Sequence, residues 1–261
     1  MTVRPSYALV GVLLLSLCTA GPAPAQRDSQ LAERVEAASG GAAWNARSAV
    51  RVPLRVEFGG KTILDGVMTT DTAAGRSRFE IDDGTLLVFD GESAWVSPED
   101  APIARARFHV LTWPYFLAAP MKLDDPGVHL EALGPRPFLD GEPLEAARLT
   151  FDAGTGDTPD DWYVVYLDAD DRLAGMAYIV TWGKSVEEAE KEPHAIVYRD
   201  RVDVDGVSVP TLWTFHHWSL EEGVTGEPIG RVELGTARFV EPDAGTFDRP
   251  SGPARREGPP G

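Results

Sequence analysis

The sequence predicts a mainly β protein of α+β type: a long antiparallel meander led in by one helix and interrupted once by a helical segment. Three observations carry this. Apolar and polar residues alternate from Val52 onward and do so again along most of the chain. Short Asp-Gly and Gly-Gly turns separate the alternating runs, where a parallel sheet would need crossover helices. One stretch, 102–123, is rich in apolar residues without strand alternation.

The first 25 residues read as a secretory signal peptide. Arg4 gives a short basic start, residues 7–20 form an almost unbroken apolar run, and Ala23-Pro24-Ala25 offers small residues for cleavage. The mature chain is therefore expected to begin at Gln26 and to work in the periplasm or outside the cell. Cleavage after Ala25 removes Cys18, the single cysteine, and with it any disulfide or thiolate metal site. Lipid modification at Cys18 is the alternative, but the bulky Leu17 before it suits that processing less well than the Ala-Pro-Ala site does.

Asp28 to Ser39 follows as an amphipathic helix, with Leu31 and Val35 on one face and Gly40-Gly41 ending it. Val52, Leu54, Val56 and Phe58 then alternate with Arg51, Pro53, Arg55 and Glu57, a half-buried strand that Pro53 should either keep near an edge or deprive of one ladder bond. Gly59-Gly60 turns the chain into a strand over 61–70, within which Asp65-Gly66 is either a turn or a bulge. Further strands are expected near 76–82, 85–89, 92–97, 127–133, 145–152, 162–168, 173–182, 194–204, 207–218 and 229–240. Asp83-Gly84, Asp90-Gly91 and Asp205-Gly206 supply tight turns among them. In 102–123, Pro102 can open one helix and Pro114 a second, while Pro120 stops it. That is a broken helical plug on the sheet. Residues 242–261, dense in Pro, Gly and charge, are expected to be a disordered tail, leaving 26–241 as a single domain.

Charge narrows the partners. The formal net charge is -17, from Lys+Arg 24 against Asp+Glu 41. Such a chain repels nucleic acid and anionic headgroups at long range, so nucleic-acid binding is excluded. Beyond the signal there is no apolar run of the roughly 18 to 20 residues that a membrane span needs.

Catalytic signatures are missing. His216-His217 resembles a metal pair, yet adjacent residues of a strand point to opposite faces, and His109, His129 and His194 stand alone in sequence. Asp152, Asp157, Asp160 and Asp161 crowd one loop whose spacing does not match a calcium-binding EF-hand; these read as solvated turns. Gly91-Glu92-Ser93-Ala94-Trp95 fails as a nucleophile elbow at Trp95. No enzyme activity, metal or cofactor is expected.

Aromatic placement is the positive signal. Trp162, Val164 and Tyr166 fall on one face of a strand and Tyr163, Val165 and Leu167 on the other, so that strand is covered on both sides. Trp213 and Phe215 oppose Leu212 and Trp218 in the same way, and Tyr178 and Trp182 share a face. Either a filled core or an apolar cavity between sheet and helical segment accounts for this pattern.

The element order, a helix ending Gly40-Gly41 with Trp44 close behind and then a long meander with a helical plug, resembles the lipoprotein-carrier (LolA/LolB-like) superfamily. It is similar in particular to secreted bacterial members known only as a domain of unknown function. Tyr115-Phe-Leu-Ala-Ala-Pro-Met-Lys-Leu123, Gly156-Asp-Thr-Pro-Asp-Asp-Trp-Tyr163 and Asp205-Gly-Val-Ser-Val-Pro-Thr-Leu-Trp213 carry the likeness, with Thr246-Phe247-Asp248 weaker. The resemblance implies a strongly curved, incomplete β-barrel whose concave apolar face holds helices or acyl chains. It transfers no ligand motif, because contacts in that superfamily are scattered hydrophobic residues.

The expected function is a periplasmic, non-enzymatic protein binding a lipid, acyl chain or lipoprotein in an apolar half-barrel. Trp113, Phe116, Met121, Trp162, Tyr166, Trp182, Trp213 and Phe215 are the candidate cavity residues by pattern. An extracellular glycan-binding or glycan-processing β-sandwich is the alternative from another class, and an envelope regulatory or interaction module with a filled core is the third. The oligomeric state is not legible.

Overall fold

A computed structural model describes residues 24–260. The expected signal peptide and Cys18 lie outside the described residues, apart from the last two positions of that segment. No helix among the described residues is long and apolar enough to cross a membrane.

Helix α1 (Pro24–Ser39) buries Leu31, Ala32 and Val35. Gly40 ends it at φ 88, and a Cβ there would lie 2.1 Å from the Gly206 carbonyl oxygen, so both conformation and space demand glycine. A single further turn, α2 (Gly41–Asn45), buries Trp44, whose indole N–H donates to the Thr72 carbonyl at 2.7 Å.

The strands follow as β1 (Ala49–Phe58), β2 (Lys61–Asp71), β3 (Ser77–Ile81), β4 (Leu86–Phe89) and β5 (Ala94–Ser97). Helix α3 (Ala106–Ala118) and a 3-10 turn (Ala119–Met121) then interrupt the meander. It resumes with β6 (Val128–Arg136), β7 (Leu144–Phe151), β8 (Tyr163–Leu167) and β9 (Leu173–Tyr178), then a short α4 (Val186–Ala189). The last strands are β10 (His194–Val204), β11 (Val207–Ser219), β12 (Gly223–Leu234), β13 (Arg238–Val240) and β14 (Arg255–Glu257). All join one antiparallel sheet in the order β14-β5-β4-β3-β2-β1-β12-β11-β10-β9-β8-β7-β6, with β13 also pairing β1. The two edges, β14 and β6, do not meet. This is the curved, incomplete barrel.

The concave face carries the main core, where α1 and α3 pack with Val50, Val52, Met68, Phe79, Val165, Met176, Trp213 and Phe215. A smaller core lies on the convex face, where Phe138 stacks on Tyr166 with ring centroids 4.2 Å apart, beside Val164, Val197 and Trp218. The β8 strand is thus covered on both sides, as its doubly apolar sequence requires.

Several local expectations are corrected. Of the two expectations for Pro53, the edge position fails and the lost ladder bond holds: β1 is flanked by β2 and β12. Proline is tolerated because it sits where the partner changes from β12 to β13. There its carbonyl accepts from Gly235 N–H at 2.9 Å, and the amide it lacks faces the break between the two strands. That break also splits the expected strand 229–240 in two. Asp65-Gly66 lies in regular pairing with β1, and the register shift falls next to Ile63 instead. Gly66 is required by close packing, since a Cβ would stand 2.3 Å from the Glu80 carbonyl oxygen.

Residues 242–260, the described part of the expected disordered tail, are ordered against the sheet. Phe247 is buried, and β14 pairs with β5 through Arg255↔Val96, Arg256↔Trp95 and Glu257↔Ala94. The arginine side chains explain why composition misled. Arg255 donates to the Glu99, Ala101 and Ile103 carbonyls, Arg256 to Ser93 Oγ, and Arg249 lies over the Trp95 ring. Directional bonds to backbone acceptors order a segment whose apolar content alone could not.

Candidate ligand cavity

The site is organised by α3. Pro114 lies inside this helix rather than opening a second one, which corrects the expectation of a break at that residue. A proline deprives the carbonyl four residues earlier of its helical donor. That carbonyl, on Val110, accepts from the buried Ser77 Oγ at 2.6 Å. Further along, the Tyr198 hydroxyl donates to the Phe116 carbonyl at 2.8 Å. Two side chains of the sheet therefore fix the helix against the concave face.

Trp113 and Phe116 on α3 meet Phe215 of β11 at 6.2 Å each, and Phe116 meets Tyr178 of β9 at 5.4 Å. The Trp113 indole N–H donates to His109 Nδ1 at 3.1 Å, which requires an unprotonated nitrogen there. Burial, helped by the charge of Arg105 and opposed by Glu257, pushes the His109 pKa down to about 4. The imidazole is neutral at physiological pH.

Beside this aromatic wall a cavity of about 860 Å³ opens between α3 and the concave sheet. That volume falls in the range of small-molecule sites. Its apolar lining includes Phe58, Phe108, Trp113, Phe116, Tyr163, Tyr178, Trp182 and Phe215. Tyr115, Tyr163 and Tyr178 form a chain of rings 5.6 and 6.0 Å apart. Their hydroxyls have no hydrogen-bond partner among the described residues. Desolvation pushes all three phenols above their ordinary pKa, so they remain neutral donors.

Charged groups gather toward the mouth, which the exposed lining residues Ile63, Gly91, Arg105, Pro126, Gly156 and Lys184 mark. The buried Arg107 grips Asp157 with Nε–Oδ2 at 2.5 Å and Nη2–Oδ1 at 2.8 Å, and also donates to the Glu92 carbonyl. Lys122 bonds Asp125 at 2.8 Å. Asp161 accepts from Thr158 Oγ1 and from both the amide and the hydroxyl of Thr181. Burial raises its pKa while those bonds hold it down. The Asp152–Asp161 loop is therefore no simple solvated turn, because Asp157 and Asp161 brace the cavity wall. Among the described residues no group of three or more His, Cys, Asp or Glu is arranged to hold a metal ion.

Of the eight residues singled out by pattern, Trp113, Phe116, Trp182 and Phe215 line this cavity. The other four do not. Tyr166 lies in the convex core and Trp162 packs against it. Trp162 sits 6.1 Å from Trp218, with Arg148 over its ring and its indole donating to Glu190 at 3.0 Å. Trp213 is on the concave face but wholly buried, edge-on to Tyr198 at 5.8 Å. Met121 lies in the 3-10 turn, packed against the main core and not among the residues that line the cavity. Tyr163 was missed because period-2 alternation names two faces without saying which is concave. Phe108, Arg107 and Asp157 carried no signal, since only the fold brings them together. As their adjacency requires, His216 is buried and bonded to Thr214 Oγ1 at 2.9 Å, while His217 is exposed beside His194, ring centroids 5.5 Å apart.

No family model and no curated protein matches this sequence. Solved structures do. A LolA superfamily protein from Nitrosomonas europaea superposes with TM-score 0.51 at 12% identity, over 87% of this chain and 99% of that one. A DUF1329 family protein from Desulfovibrio piger gives TM-score 0.54 at 13% identity, over 86% and 97%. An outer membrane lipoprotein-sorting protein domain from Vibrio parahaemolyticus gives 0.53 at 11%, over 86% and 97%. The chain therefore has the LolA-like fold.

Proposed function

We propose that this chain is a periplasmic, non-enzymatic binding protein that takes a lipid, an acyl chain or the acylated end of a lipoprotein into the cavity between α3 and the concave sheet. The observation that carries the reading is the cavity itself: about 860 Å³ left open and walled by aromatic rings, in a fold whose remaining concave surface is packed. Each buried methylene of a ligand would contribute about 0.8 kcal/mol, so affinity should rise roughly fourfold with each carbon added to a chain that the cavity still encloses. The kinship in fold with a domain described as sorting lipoproteins supports the same class of cargo. The signal-like N-terminal sequence supports the compartment.

The glycan reading loses its scaffold, since the strands form one continuous sheet and not a sandwich. A regulatory module with a filled core is disfavoured by the open volume.

Native mass spectrometry with solvent extraction, on protein secreted through its own N-terminal segment in a bacterial host, tests the proposal. Co-purifying lipid near one equivalent, released on unfolding, is the expected result. An apo mass that gains nothing from added lipids would overturn it.

A further inference from the structure

The cavity mouth carries a charge bias opposite to that of the protein. Overall the chain is at -17, yet the cavity lining holds four cationic side chains, Arg105, Arg107, Lys122 and Lys184, against the three carboxylates Asp125, Asp157 and Asp161. The carboxylates are all engaged, with Lys122, Arg107 and the Thr158–Thr181 pair respectively. Arg105 and Lys184 are left exposed, with no ion pair or side-chain hydrogen bond among the described residues. Glu187 and Glu188, near Lys184 in sequence, make no ion pair with it, and Glu257 near α3 is engaged by Arg255 and the Arg107 amide.

The two free cations belong to one rim. Phe108, one turn after Arg105, meets Trp182, two residues before Lys184, edge to face at 5.6 Å. That contact closes the lining between the start of α3 and the segment after β9, and sets both cations beside the aromatic wall. A purely neutral apolar cargo would gain nothing from them. In so acidic a protein, they also lower the long-range repulsion that an anion would otherwise meet at this opening.

Resting on the binding role proposed above, we infer that the cargo is an anionic amphiphile, its acyl part in the aromatic cavity and its carboxylate or phosphate head between Arg105 and Lys184. The carboxylate and phosphate share the chemistry that matters here, an oxyanion accepting from a guanidinium and an ammonium group.

Displacement of the neutral probe N-phenyl-1-naphthylamine by laurate, dodecyl phosphate, dodecanol and methyl laurate tests this on the full chain, with Arg105→Gln and Lys184→Gln singly and together. The inference expects both anions to bind roughly three- to tenfold tighter than the neutral analogues, with the preference lost in the double variant and weakened by salt. Preference for one anion alone would name the head group. Equal affinity for all four ligands in the wild-type protein would overturn the anionic head while leaving the cavity role intact. Absence of probe binding altogether would overturn the cavity role, and the inference with it. The ligand series on unaltered protein decides the matter even if a variant folds poorly.

Discussion

Ser77 completes the helix that Pro114 interrupts: its hydroxyl, wholly buried on β3, donates at 2.6 Å to the Val110 carbonyl, which lost its helical donor to the proline. The sheet thereby repairs the helix from outside. Trp113 and Phe116, on either side of the proline, are consequently held at the cavity wall by a bond from the opposite element.

Replacing Ser77 with Ala leaves a buried carbonyl unpaired and should cost about 1–3 kcal/mol. In a Pro114→Ala background the helix can supply its own donor, and the same change should cost well under 1 kcal/mol. Urea unfolding of the four proteins in this cycle checks it. Equal costs in both backgrounds would show that the Ser77 hydroxyl is not acting through Val110.

His109 predicts a pH dependence. Its pKa is lowered from 6.5 to about 4 in the fold by burial, so between those values the unfolded chain takes up a proton that the folded one refuses. Stability is therefore full above about pH 6.5, falls as pH drops toward 4, and loses on the order of 3 kcal/mol from this group. His194 and His216 are lowered too, so the test compares His109→Gln with wild type. The variant should show a shallower loss between pH 7.5 and 4.5 in urea midpoints.

The Arg107–Asp157 pair ties the acidic loop to the start of α3, both side chains largely shielded at 6% and 13% exposure. Asp157→Ala strands a buried guanidinium and should destabilise by about 3–5 kcal/mol, whereas the double change Arg107→Met with Asp157→Leu should recover much of that loss. Thermal unfolding distinguishes the two. A mild single variant would mean that the pair is solvated in solution.

Much of the architecture was legible. The strand runs from β1 to β11, the Asp-Gly turns at Gly84, Gly91 and Gly206, and the helical interruption all follow from local chemistry, and the fold class with them. What escaped were features settled between distant elements. Pro53 left an edge position and a lost ladder bond both open because the partner switch opposite it involves residues almost two hundred positions away. Pro114 looked like a helix start because Ser77 was out of view. The cavity was half legible for the same reason: alternation separated Trp162 from Tyr163, but which of them faced inward depended on the curvature of the sheet and on Phe138 covering the other side.

The C-terminal segment covers the edge of β5, and Arg255 alone bonds three carbonyls of the stretch that leads into α3. Arg255→Ala should lower stability by roughly 1–3 kcal/mol. Truncation after Glu241 should go further, baring β5 as an unpaired edge and promoting self-association. Light scattering behind size exclusion reads the second effect; a monomeric, equally stable truncation would show that the segment does not dock.

The two faces of the sheet make opposite predictions for ligand binding. Trp182→Ala and Phe215→Ala remove cavity wall and should weaken lipid affinity, by roughly tenfold if one ring's contact with an acyl chain is lost. Trp162→Ala alters the convex side and should leave affinity unchanged. Trp213→Ala should cost about 3–5 kcal/mol of stability through its core site, whatever it does to binding. Probe-displacement titrations on folded variants separate these outcomes. A loss of affinity in Trp162→Ala equal to that in Phe215→Ala would mean that the ligand is not held on the concave face, because no common contact joins those two rings.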